Sequence, residues 1–90
     1  MEKKDSRYDE VKKQILTGKI SQFNEIFSFI PEEIVAHDLG LSLQQLTELK
    51  QHVGNFEMGR LFTLSQLIGI DLRIVAALAY TQQILDVNLN

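Results

Sequence analysis

Apolar residues recur along this chain at three- and four-residue intervals, the period of a helix buried on one side, and nowhere in sustained alternation. With no Asn-Gly or Asp-Gly turn and a single proline, Pro31, no strand is predicted. Tyr8, Val11 and Ile15 stand at i, i+3 and i+7, behind Ser6 as a candidate cap and ahead of Gly18, which falls past the helix end. Ser21 is placed to cap a second, short helix that turns Phe23, Ile26, Phe27 and Ile30 inward. Pro31 stops it and begins the third, because proline suits the first helical position. Glu32 and Glu33 then occupy a first turn, where the helix dipole favours carboxylates.

The third helix is expected to bury Val35 and Leu39 and to end at Gly40, which can take the positive φ of a tight turn. Ser42 opens a fourth, where "SLQQ" from Ser42 to Gln45 matches a capping box, and Leu46, Leu49 and Val53 form its inner stripe. "VGNF" at 53–56 reads as a loop. A fifth helix follows over about 57–68, with Met58, Leu61, Leu64, Leu67 and Ile68 as its apolar set. Gly69 breaks it and Asp71 caps the last helix. In that last helix "LRIVAALAY", Leu72 to Tyr80, is apolar on nearly every side, so it is either central to the core or covered by a second molecule, which would make a homodimer. The polar tail at 86–90 is expected to fray.

Ninety residues, 44% of them hydrophobic, are enough for one core and one domain. The organisation expected is an amphipathic helical extension at 1–20, a domain at 21–85 and the tail, giving an all-α bundle of five to six helices. Without a cysteine, disulfides, thiol chemistry and cysteine-type zinc sites are excluded. The longest apolar stretch, "IVAALAY" at 74–80, is too short to span a bilayer, and the charged start "MEKKDSRYDE" has no apolar run behind it. A cytoplasmic protein is expected on that basis.

Charge complicates the functional reading. The formal net charge is −3, and it is unevenly spread. Residues 1–30 carry six basic and five acidic side chains, whereas residues 31–90 carry Lys50, Arg60 and Arg73 against seven acids. An acidic second part argues against strong non-specific phosphate binding.

The most specific pattern lies between residues 32 and 53. Ala36 is small enough for a second helix to approach closely, Gly40 permits the short turn, Leu41 plugs the space beneath it, and Leu46 with Leu49 anchors the next helix. This pattern resembles the lambda-repressor-like helix-turn-helix family of DNA-binding domains. The likeness extends from "SQFNEIFSFI" through "FEMGRLFTLSQLIGIDLRIVAAL", about residues 21–85, and the "LIGID" junction at Leu67 to Asp71 is especially similar. The resemblance implies that the fourth helix enters the major groove of duplex DNA with the face opposite Leu46 and Leu49. Gln44, Thr47, Glu48 and Gln51 project there. Glutamine can read an adenine edge, threonine can touch a phosphate or a thymine methyl, and glutamate can accept from cytosine. Lys50, Arg60 and backbone amides near Gly54 to Glu57 would orient the protein on phosphates. Two copies would present recognition helices about 34 Å apart on a near-palindromic site.

Several residues depart from that pattern. Glu32 and Glu33 stand where such proteins often hold phosphate, and Leu43 is apolar where a reader is common. A helix-turn-helix that works instead as a protein interaction or dimerisation module is therefore the alternative expectation. His37 and His52 match no metal-ligand spacing, no cofactor motif is present, and the phenylalanines at 23, 27, 29, 56 and 62 are spaced for core packing. No catalytic constellation or small-molecule substrate is indicated, so an enzyme is not expected.

Overall fold

The computed structural model describes residues 4–88. Along them run α1 (Arg7–Leu16), a 3₁₀ segment (Phe23–Ser28), α2 (Glu32–Asp38), α3 (Leu43–Gln51), a 3₁₀ turn (Val53–Asn55), α4 (Met58–Ile68) and α5 (Leu72–Asn88). The described residues contain no strand, so the fold is all-α. Packing pairs α1 with α4, α2 with α3 and α4 with α5, while both 3₁₀ segments rest on α5.

α1 buries the expected trio, Tyr8, Val11 and Ile15. Its cap differs from expectation. Ser6 makes no side-chain capping bond, and Asp5 takes that role: its Oδ1 accepts the Arg7 backbone N–H at 2.8 Å while the Arg7 guanidinium closes on the same carboxylate. That guanidinium, with the backbone N–H behind it, holds the Asp5 carboxyl down to about 2. The extension is part of the body of the protein, because the three buried α1 side chains belong to the same core cluster as those of α2 to α5.

The short helix expected after α1 is a 3₁₀ helix. Phe23, Ile26 and Phe29 fall at three-residue intervals, and a helix with three residues per turn stacks such a set on one side. Phe23 and Ile26 are fully buried, and Phe23 meets the Phe56 ring at 5.0 Å between centroids. Glu25, and not Ser21, organises the start: its Oε1 accepts the backbone N–H groups of Ser21 and Gln22, each at 2.8 Å, which lowers its pKa.

Pro31 sits one position earlier than predicted, at the cap, with Glu32 the first residue of α2. The end of α2 follows from its glycine. Gly40 has φ +72°, the Leu41 N–H reaches back to the Ala36 carbonyl at 2.8 Å and the Gly40 N–H to that of His37 at 3.1 Å, a Schellman closure. Leu41 then packs against the core from beneath the turn. Gly69 closes α4 in the same way, with φ +86° and the Ile70 N–H on the Ser65 carbonyl at 3.0 Å. Beyond it Asp71 accepts the Arg73 backbone N–H at 2.7 Å, the expected cap of α5, and the Arg73 guanidinium lowers its pKa.

The last two helices differ from expectation in what they expose. Leu61, Leu64 and Ile68 are buried and Leu67 packs partly against the core, but Met58 and Phe62 are exposed. α5 buries Val75, Leu78, Ala79 and Gln82 and exposes Tyr80, Ile84 and Val87. It also continues through Asp86 to Asn88, so the helix outruns the point where a frayed tail was expected, and residues 89–90 lie outside the described residues. No single helix among the described residues is long and apolar enough to cross a membrane.

Candidate nucleic-acid interface

Four residues, Leu39 to Ser42, connect α2 to α3. The start of α3 is closed by the predicted capping box: Ser42 Oγ accepts the Gln45 N–H at 3.0 Å, and Gln45 Oε1 accepts the Ser42 N–H at 2.9 Å. Gln45 is thereby committed to the cap. Leu46 is fully buried and Leu49 half-buried, so the residues about 100° around the helix on either side must face outward. Gln44, Thr47, Glu48 and Gln51 are all exposed.

The exposed set is only partly engaged. Thr47 Oγ1 donates to the Leu43 carbonyl one turn back at 2.9 Å, which uses its proton and leaves its lone pairs and methyl outward. Gln44 Nε2 lies 3.5 Å from Glu48 Oε1, at the limit of a hydrogen bond. These contacts keep the side chains along the helix surface.

Beside this face lies an open cleft of about 480 Å³, formed between α3 and the start of α4 and lined by Leu41, Gln45, Glu48, Leu49, Gln51, His52, Asn55, Glu57 and Arg60. It brings Arg60 together with Glu48 and Gln51. Asn55 and Glu57 join them, two residues sequence reasoning did not single out as side-chain contributors. The available signal was their place just before a helix start, where polar side chains face out.

Lys50 is engaged elsewhere. Its ammonium forms an ion pair with Glu32 on α2 and lies 4.8 Å from the centre of the Phe27 ring, and its side chain is only 21% exposed. The lysine expected to reach a phosphate is thus held by the carboxylate expected to repel one. The charged groups lining the cleft are then Glu48, Glu57 and Arg60, with His52 beside them, so the face is not a positive band.

The carboxyl end of α3 is anchored from behind. Asn24 Nδ2 donates to the Lys50 carbonyl at 3.1 Å, and the Asn24 N–H is accepted by Gln82 Oε1 of α5 at 3.2 Å. The α3 face is therefore presented on a support made of the 3₁₀ segment and α5. His37 lies on α2, where it meets Asp38 at 3.5 Å, whereas His52 lines the cleft.

Comparison with family models, with curated proteins and with solved structures found no match to this chain.

Proposed function

We propose that this protein is a small DNA-binding regulator of the lambda-repressor-like helix-turn-helix type, which reads duplex DNA with α3. The observation that carries this reading is the exposure of Gln44, Thr47, Glu48 and Gln51 along one side of a helix whose other side is pinned by buried Leu46. A short turn through Gly40 and a closed capping box support it, because a groove-entering helix needs its position fixed by the helix before it. In the proposed complex Gln44 and Gln51 hydrogen-bond base edges, Thr47 offers its methyl to a thymine, and Glu48 accepts from a cytosine amine. Arg60, at the mouth of the cleft, contacts the phosphate backbone.

The test is fluorescence anisotropy of a labelled mixed-sequence duplex titrated at about 50 mM and about 200 mM salt, between which phosphate-driven affinity should fall steeply. Binding at the lower salt that weakens at the higher supports DNA recognition, and Gln44→Ala with Gln51→Ala should then remove sequence preference while leaving residual salt-dependent binding. Absence of binding by folded protein at the lower salt rejects it.

A second reading, a protein interaction module, is favoured by one specific observation: the Lys50–Glu32 pair leaves two carboxylates and one guanidinium beside the α3 face. Such a face suits a basic helical segment of another protein. Its check is NMR titration with a basic helical peptide, which should move the amide signals of Gln44, Glu48 and Arg60. Signals that stay in place would reject it.

A further inference from the structure

The cleft beside α3 holds opposite charges that do not meet. Arg60 lines it from α4 and Glu48 from α3, yet among the described residues Arg60 pairs with no carboxylate. Its side chain is nonetheless half-buried. Arg7 and Arg73 are each closed on a carboxylate two positions earlier, Asp5 and Asp71. Glu57 stands three positions before Arg60, within reach of a similar pair on one helix face, and does not make it. Nor does Arg60 serve its own helix. It is the third residue of α4, in the first turn, where the helix dipole disfavours a cation.

The two carboxylates of the cleft are equally uncommitted. Glu57 occupies the cap position of α4 but makes no capping bond, and the Gln44 contact of Glu48, at 3.5 Å, is too long to hold it. Leu41 and Leu49, both half-buried against the core, supply the apolar part of the lining. A volume of about 480 Å³ falls within the roughly 300–1,000 Å³ of small-molecule sites. Two carboxylates against one guanidinium leave the charged lining with one negative charge in excess, so it suits a ligand with one positive charge in excess.

The geometry points to this cleft as a binding site for a free basic amino acid, of the lysine or arginine class. The ligand carboxylate pairs with the Arg60 guanidinium, whose fork matches it with two hydrogen bonds. The α-ammonium, close to that carboxylate, pairs with Glu57, the neighbour of Arg60 on α4. The side-chain cation spans the cleft to Glu48 on α3, and the methylenes between lie along Leu41 and Leu49. Each charge of the lining then has one counterpart, which a phosphate, a simple carboxylate or a diamine does not supply. On the DNA reading above, the ligand withdraws Arg60 from the phosphate backbone and so acts as an effector that weakens DNA binding. The site itself does not rest on that reading.

NMR titration of the full chain with L-lysine, without DNA and at constant ionic strength, tests this. Concentrations up to about 10 mM fill any site with a Kd of about 1 mM or tighter. The amide signals of Leu41, Leu49, Glu57 and Arg60 should move together along one saturating curve. Cadaverine, the diamine left when lysine loses its carboxylate, should bind about 10-fold more weakly or worse, the loss of a charge-assisted pair. General attraction to an acidic surface would favour the diamine, which carries the greater positive charge. Arg60→Gln should weaken L-lysine by the same factor and leave cadaverine unaffected, while circular dichroism shows an unchanged helix content. Signals that stay in place overturn the inference, and so does cadaverine binding as tightly as L-lysine. An Arg60→Gln chain that keeps full affinity for L-lysine puts the carboxylate elsewhere and overturns it too. The comparison of the two ligands on the unaltered protein stands if that variant fails to fold. No duplex enters the measurement, so a failure of DNA binding does not decide it.

Discussion

The Tyr8 hydroxyl donates to Asp38 Oδ2 at 2.7 Å, joining α1 to the last turn of α2 across thirty residues of chain. Tyr8 is fully buried, so its phenol has this carboxylate as partner and no access to water. Lys4 adds a second tie, donating to the Leu67 carbonyl at the end of α4 at 2.8 Å. The amino-terminal helix is thus fastened to both neighbours of α3. Tyr8→Phe keeps the ring and removes the bond to a charged acceptor, which should cost about 1.5–3 kcal/mol of stability. Urea denaturation followed by circular dichroism checks this; an unchanged midpoint would mean that the bond adds nothing over solvation of Asp38.

The same contact gives the protein an alkaline limit. Burial first, and then the hydrogen bond to Asp38, push the Tyr8 pKa well above its ordinary value of 10.0. In the unfolded chain Tyr8 loses its proton near the ordinary value, while in the folded protein it keeps it. The contribution is therefore complete below pH 10 and is lost as pH rises above it. Thermal melts from pH 8 to pH 11 should show Tm falling at the alkaline end, and Tyr8→Phe should flatten that fall. An equal fall in both proteins would assign the loss to other groups.

Gly40 isolates conformational strain from collision. A methyl group placed on it would meet nothing within 4 Å, yet its φ is +72°. Gly40→Ala should destabilise by about 1–2 kcal/mol, the cost of the left-handed conformation to a residue with a β-carbon, and Gly40→Val by more. Chemical denaturation distinguishes the two. An alanine variant as stable as the original would show that the turn relaxes to a negative φ.

Lys50 and Glu32 connect stability with the proposed DNA binding. The Lys50 side chain is only 21% and that of Glu32 33% exposed, so Glu32→Gln should destabilise by about 1–3 kcal/mol, between an exposed and a buried ion pair. It releases the lysine, however. If α3 lies on DNA, one more phosphate can be neutralised, and the slope of log affinity against log salt should steepen by about 0.9. Anisotropy titrations at several salt concentrations measure the slope, and an unchanged slope would place Lys50 away from the backbone.

What could be read from the chain was whatever acts over a few residues. The Tyr8, Val11 and Ile15 stripe, the stop at Gly40 and the Ser42–Gln45 box are each set within about one or two turns, and each is found as expected. The exposure of Gln44, Thr47, Glu48 and Gln51 followed from the burial of Leu46 on the opposite side. Contacts between distant residues were not legible. Nothing local announces that Lys50 will meet Glu32 eighteen positions earlier, or that Tyr8 will meet Asp38. The short helix at Phe23–Ser28 is found, but its 3₁₀ form was not legible, because intervals of three and of four residues overlap in so short a run. Met58 and Phe62 were assigned inward because their spacing suits a core; which side of α4 the core takes depends on α1 and α5, and these cover Leu61, Leu64 and Ile68 instead.

A helix that is apolar nearly all round has a problem of rotation. Turned about its own axis, α5 could offer the core another greasy side for almost the same transfer free energy, and burial alone would not choose among the settings. Gln82 makes the choice. It is buried, and its Oε1 accepts the Asn24 N–H of the 3₁₀ segment at 3.2 Å, a bond that any other setting would break, leaving that N–H without its partner. One polar side chain thereby works as an index mark, deciding which apolar residues vanish into the interior and which, Tyr80 and Ile84 among them, stay outside.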